Sequence, residues 1–241
     1  MTPTWPPGPG FWLALSRLGE AQILLPVMLA LLGWLAWRGQ HSRLALAWLL
    51  STGLAALITT ASKLAFIGYG IGWAAADFTG FSGHAMFAAA ILPPLCGLAA
   101  AGRAGLARWG VLLGCALAGV VALSRVAVQA HSWSETLLGL ALGLAASALT
   151  LRLAQPLPAL GWAPRHLAGV LAAWALLAVS AAPPSRTHDW VTRLALAQSG
   201  RSQPYKRWQM HRDHRLAQQA RLGAAAVGAR PAPPPVSGPG Q

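Results

Sequence analysis

The chain has 241 residues, of which 55% are hydrophobic and only 10% charged, and its mean hydropathy is +0.50. A soluble globular domain carries about 25% charged residues, so the composition points away from a soluble domain and towards a membrane protein. The net charge of +13 is unevenly placed: nine of the 18 Lys and Arg follow Pro184, while Ala21 to Pro183 holds eight of them beside only two acids, Asp77 and Glu135.

The N-terminal MTPTWPPGPGFW has no basic stretch ahead of its apolar segment and no small-residue cleavage site after it, so the first span is expected to be retained. Residues Pro6 to Glu20 read as a short amphipathic helix lying in the interface. A membrane-crossing helix needs about 20 mainly apolar residues. Six segments meet or approach that length: Ala21–Trp37, Leu44–Ala61, His84–Ala101, Trp109–Leu123, Glu135–Leu153 and His166–Ala182. The pair Gly139 and Gly143 reads as a close-packing face between helices. Trp34, Trp37, Trp109 and Trp133 sit near span ends as interface anchors. Cys96 and Cys115 lie in apolar runs without metal-site spacing and read as small apolar fillers.

The turns sort by charge. Arg38 and Arg43, Arg103 and Arg108, and Arg152 and Arg165 fall in three turns that alternate with two turns carrying other polar residues. The positive-inside rule assigns the basic turns to the cytoplasm and the other two to the opposite face. By this count the basic tail also falls on the outer side. Thr187 to Arg212 reads either as an amphipathic surface helix or as a solvated tail, and Arg230 to Gln241 is Pro- and Gly-rich, as disordered segments are. Anionic lipid is the expected partner of the basic tail. Nucleic acid is not, because no recognition module accompanies it. The resulting expectation is an all-α integral membrane bundle of about six transmembrane helices. It has an interfacial segment at 1–20, a membrane domain at 21–183 and a basic, partly disordered tail at 184–241.

The two outer turns carry the chemistry. FSGHAM begins at Phe81, and SRVAVQAHSWSE runs from Ser124 to Glu135. His131 and Glu135 are four apart and share a face if that stretch is helical. A carboxylate on one imidazole nitrogen leaves the other as nucleophile or base. Arg125 offers a planar fork of donors suited to phosphate oxygens. Ser82 and Gly83 precede a helix starting near His84, whose free N–H groups suit an anion. Ser82 is best placed to cap that helix, ahead of Asp77 and Thr79. Asp77 reads as a loop or capping residue. His41, His166, His188, His211 and His214 read as solvated or at head groups.

Ser-Gly-His, followed by Ser-Arg, five residues, His, three residues and an acid, resembles the type-2 phosphatidic acid phosphatase superfamily. That superfamily spans integral-membrane lipid phosphatases and soluble vanadium haloperoxidases, and the resemblance covers roughly Lys63 to Leu144. It implies that His131 attacks phosphorus to form a phosphohistidine, with Glu135 supporting it. It implies that His84 protonates the leaving oxygen and then activates water. Ser82, the Gly83 N–H, Arg125 and Lys63 would hold the phosphoryl oxygens. No metal and no cofactor is implied, the cationic side chains and N–H groups supplying the electrostatics. The implied substrates are phosphatidic acid, phosphatidylglycerol phosphate, undecaprenyl pyrophosphate or a lipid A phosphate, and the implied location is a bacterial inner membrane with the site facing the periplasm.

Three departures stand out. Gly70-Ile71 occupies the place of the superfamily's first-motif Arg-Pro, Phe81 replaces the usual Pro, and Glu135 replaces the usual Asp. A tail group such as Arg186 or His188 is a candidate for the missing cation. The alternative reading is a degenerate member that binds phospholipid head groups without turnover. A transporter fits less well, because no matched pair of broken helices marks a midplane site.

Overall fold

The computed structural model describes residues 6–37, 41–102, 105–154, 157–158 and 186–228. Among these, the chain forms α1 (Pro9–Arg17), α2 (Ala21–Trp37), α3 (Ser42–Tyr69), a single 3₁₀ turn at Ala74–Ala76, α4 (Gly83–Ala100), α5 (Leu106–Ala127), α6 (Trp133–Leu153), α7 (Thr187–Ser199) and α8 (Arg207–Gly228). Five helical segments are long and apolar enough to cross a membrane, the first running from Pro9 to Trp37 and the others being α3, α4, α5 and α6. The sixth expected span, 166–182, lies outside the described residues. Two boundaries differ from expectation. α3 continues to Tyr69 rather than stopping near Ala61, so Lys63 sits within a helix and not at its end. α5 runs to Ala127, which puts Arg125 on its last turn.

α4 is the centre of the bundle and packs against α2, α3, α5 and α6. Ala85, Ala88, Ala89 and Ala90 are fully buried along it, together with Met86, Ile91 and Leu98. Its interior holds Pro93 and Pro94. A proline within a helix frees the carbonyl four residues earlier, and in a lipid environment that carbonyl needs another donor. Both freed groups have one. Ala89 O accepts from Ser147 Oγ, and Ala90 O accepts from Trp48 Nε1 at 3.0 Å. The prolines therefore fasten α4 to α6 and α3. Ser51 and Thr150 add a hydroxyl contact of 2.7 Å between α3 and α6.

Small residues set the helix spacing. A Cβ on Gly139 would stand 2.6 Å from Ser82 O, and one on Gly143 would strike Met86 O. The Gly139/Gly143 face is thus the seat of α4 on α6, as its spacing predicts.

From Arg186 to Gly228 the tail is mainly helical, and α7 packs on α3. Phe66, Ile67, Ala195 and Met210 make a separate apolar cluster joining α3 to α7 and α8. α1 packs on α5, burying Trp12 and Ser16 while Phe11 and Leu13 stay exposed.

Candidate active site

One end of the bundle collects the C-terminal part of α3, the start of α4, the end of α5, the start of α6 and the tail around a cavity of about 840 Å³. Lys63, Gly83, His84, Arg125, His131 and Glu135 all line it. Residues far apart in sequence meet there because both motif turns open on the same end.

Glu135 organises the site. It lies on the first turn of α6, where Ser132 is the N-cap and a capping box is complete. Glu135 N–H donates to Ser132 Oγ at 3.3 Å and Ser132 N–H donates to Glu135 Oε2 at 3.1 Å. His131 precedes that N-cap, so it and Glu135 are not two residues of one helical face as the spacing implies. They still meet, with Nδ1 2.8 Å from Oε2. One carboxylate thus both closes the capping box and reaches the imidazole. Glu135 Oε1 accepts from Thr79 N–H at 2.8 Å and from the Thr79 hydroxyl. The side chain is completely buried.

With Nδ1 engaged, His131 Nε2 is the free nitrogen. Burial pushes the His131 imidazole below its ordinary range, and nearby Lys63 and Arg125 push the same way, while the Glu135 hydrogen bond and charge oppose them. A neutral imidazole is the nucleophilic form.

Three groups around this imidazole have few partners of their own. Arg125 donates through Nη1 to Ser16 Oγ, but its Nε is buried without a hydrogen-bond partner among the described residues. Lys63 Nζ points at Gly83, 3.7 Å from where a Cβ would stand. Ser82 sits at the N-cap of α4, yet its hydroxyl makes no cap hydrogen bond. That hydroxyl is fully buried and without a partner among the described residues, and Ser82 does not line the cavity as the other site residues do. Its N–H donates to Glu135 O at 3.0 Å, tying the two motifs together through the backbone. Buried donors without partners are costly. Lys63 and Arg125 line the cavity beside the N-terminus of α4, where free N–H groups suit an anion.

The tail supplies what the motifs do not foretell. Arg207 Nη2 donates to both Glu135 oxygens, at 2.8 and 2.9 Å, and its Nη1 donates to Asp77 O at 3.0 Å and also to Asp77 Oδ2. His211 Nε2 lies 2.7 Å from Asp77 Oδ1. Asp77 is therefore a partner of the site network rather than a mere cap, and His211 is paired rather than solvated. Of the expected substitute cations, His188 lines the cavity and Arg186 does not, whereas Arg193, Lys206 and Arg207 do. Nothing in their spacing singles these residues out; the tail's pattern reads only as an amphipathic surface helix or a solvated tail.

Comparison with known proteins bears on this arrangement. The profile of the PAP2 superfamily matches residues 68–158. That interval contains Ser82, Gly83, His84, Arg125, His131 and Glu135, with Lys63 before it and Arg207 after it. An uncharacterized 22.5 kDa protein in the cps region of Klebsiella pneumoniae is 43% identical over 148 residues, which is 61% of this chain and 71% of the relative. No solved structure matches.

Proposed function

This chain is a member of the PAP2 superfamily, in which phosphatases are the general rule, and from that premise we propose that it is a membrane lipid phosphatase acting on a phosphomonoester or pyrophosphate through a phosphohistidine. The observation that carries the reading is the His131–Glu135 pair facing a cavity that also holds Lys63 and Arg125.

In this reading His131 Nε2 attacks phosphorus, and the bond from phosphorus to the lipid oxygen breaks. His84 gives its proton to that oxygen. His84 then takes a proton from water, the water oxygen attacks phosphorus, and the P–N bond breaks to release inorganic phosphate. Arg125, Lys63 and the Gly83 N–H stabilise the charge that spreads over the phosphoryl oxygens. Phosphatidic acid, phosphatidylglycerol phosphate, undecaprenyl pyrophosphate and lipid A phosphate all present such a group at a bilayer surface. Arg43, Arg108 and Arg152 lie at the helix ends away from the cavity. By the positive-inside rule this supports a periplasm-facing site in a bacterial inner membrane.

The test is phosphate release from these lipids by purified protein in detergent, with chelator present, wild type against His131→Ala. Release that vanishes in the variant supports the reading. The second reading, a head-group binder without turnover, is favoured by Gly70 in place of the first-motif Arg. Folded wild-type protein that binds these lipids but releases no phosphate would establish it.

A further inference from the structure

Gly70-Ile71, which stands in place of the superfamily's first-motif Arg-Pro, lies between Gly68 and Gly72, where the tail docks. A Cβ on Gly68 would stand 3.1 Å from Ala195 O and 3.2 Å from Ser199 Cβ. Gly70 caps α3 with φ +73° and faces the Tyr205 ring, 3.4 Å from its would-be Cβ. A Cβ on Gly72 would stand 2.8 Å from Met210 Sδ and 2.9 Å from Phe78 O. Three alternate glycines thus receive three successive points of the tail. Tyr205 N–H also donates to Ile67 O at 2.9 Å, and its ring meets Phe66 edge-on at 5.5 Å. The residues between Tyr205 and Met210 are thereby held over the cavity, and Arg207 is the one that grips Glu135.

Arg207 is not free to hold substrate, because its guanidinium is shared between two carboxylates. Among the described residues it is the Lys or Arg within ion-pair distance of Glu135, whose side chain is 0% exposed. A fully buried carboxylate keeps its charge only when paired. We infer that Arg207 is a positioning residue of the proposed phosphoryl transfer, holding Glu135 ionised and aimed at His131, and that Gly68, Gly70 and Gly72 are the track that admits it. The inference rests on the reading of His131 as nucleophile. It recasts the missing first-motif Arg: side-chain volume at that place is exchanged for a docked tail that carries a cation to the other side of the relay.

The titratable and charged groups that line the cavity with His131 are Lys63 on α3, His84 on α4, Arg125 on α5, Glu135 on α6, His188, Asp189 and Arg193 on α7, and Lys206 and Arg207 at the start of α8. Removing the Arg207 cation leaves the others in place and lets Glu135 attract the imidazole proton more strongly. The His131 titration, and with it the acid limb of kcat/KM, must then move to higher pH.

The experiment compares wild type, His131→Ala, Arg207→Ala, Arg207→Lys and Gly72→Leu in detergent, reading kcat, KM and the acid limb of the pH profile on phosphatidic acid. Labelled-imidazole NMR follows the His131 titration in the same samples. Expected for Arg207→Ala is a loss of about 10²-fold in kcat, the scale of a misplaced catalytic group, with KM little changed and the acid limb moved up. Arg207→Lys restores part of the rate and the limb. Gly72→Leu, whose side chain would meet Met210 and the Phe78 carbonyl, reproduces the moved limb by undocking the tail. An unmoved limb with unchanged kcat in Arg207→Ala, or a rise in KM alone, overturns the inference. If wild type shows no His131-dependent release, the phosphatase reading fails instead. The NMR titration then decides the inference by itself: an upward move in Arg207→Ala upholds the Glu135 contact, and none refutes it.

Discussion

Replacing Glu135 with Gln is the sharpest probe of the relay, because it changes charge and proton inventory but almost no volume. The two carboxylate oxygens accept from Thr79 N–H, the Thr79 hydroxyl, Ser132 N–H, His131 Nδ1 and twice from Arg207 Nη2. A Gln amide has one acceptor oxygen, and its NH₂ must face donors on one side or the other. Turned towards His131, the NH₂ forces Nδ1 to accept. The imidazole proton then moves to Nε2, and the nucleophile is lost. The corresponding wrong-tautomer change in a serine protease triad lowers kcat by about 10⁴. Turned towards Thr79, the NH₂ opposes that N–H and the guanidinium, costing at least one charge-assisted hydrogen bond of about 1.5–3 kcal/mol. Breaking a buried ion pair costs about 3–5 kcal/mol, but Arg207 keeps Asp77 and is 36% exposed, so solvent and the second carboxylate reduce that figure. The expected outcome is kcat down by about 10³–10⁴ with KM within about threefold, in protein that still purifies folded with a lowered Tm. The assay is phosphate release under saturating phosphatidic acid, beside thermal unfolding in detergent. Turnover within about tenfold of wild type would refute the claim that Glu135 fixes the imidazole.

Three further outcomes follow from the same geometry. Because burial depresses the His131 pKa, the acid limb of wild-type kcat/KM should lie below the ordinary histidine value of about 6.5. The sign follows from the nucleophile: protonation removes it, and the folded site resists that proton until the pH has fallen past the unfolded value. Folding stability tied to this group declines over the same descent, and a limb above about 6.5 contradicts the assignment. Trp48→Phe keeps a six-membered ring but removes the pyrrole half of the indole with its donor to Ala90 O, and at this buried position should cost at least about 1–3 kcal/mol of stability by thermal or denaturant unfolding. No loss would mean that the proline-freed carbonyl finds another donor. Gly70→Arg, which restores the superfamily's residue type, should lower activity rather than raise it. The left-handed backbone there costs a side chain about 1–2 kcal/mol, and the added group displaces Tyr205 and the tail behind it. Higher turnover in Gly70→Arg would show that the tail is not a substitute.

The helices were legible where lipid dictates composition. α2 falls on its expected residues, and α4 and α6 lie within one or two residues of theirs, because long apolar runs with charged ends leave few alternatives. Both motifs were legible because Ser-Gly-His and Arg…His…Glu carry chemistry at fixed spacing. Three features were not. The last two turns of α3 fall beyond the expected span Leu44–Ala61, which ends where Lys63 interrupts the apolar run; Gly68 and Gly70 leave the room there that the tail requires. The place of Glu135 in a capping box was hidden by the helical i, i+4 reading, since the Ser132 signal overlaps the His131 one. The tail's basic residues gave no sign of which would face the cavity: docking depends on contacts across about 130 positions of sequence, between Asp77 and Arg207.

The distribution of charge around the cavity argues for a particular kind of phosphate. Glu135 and Asp77 are balanced by Arg207 and His211. Lys63 and Arg125 have no carboxylate within ion-pair distance among the described residues. Arg193 and Lys206 line the same cavity, but Lys63 and Arg125 are the two cations that act on the His131 imidazole, and their mutual repulsion is relieved when an anion enters. A phosphomonoester dianion matches both charges, whereas a phosphodiester carries a single charge and leaves one cation uncompensated. At low effective dielectric that difference is large, and it is the difference that binding would read out. Phosphatidic acid should therefore compete for the site far better than a phosphodiester lipid of the same acyl chains, and Lys63→Met should narrow the gap between them. Equal inhibition by the two lipids in wild type would mean that the cavity recognises the acyl chains and not the phosphate, and the uncompensated pair would need another explanation.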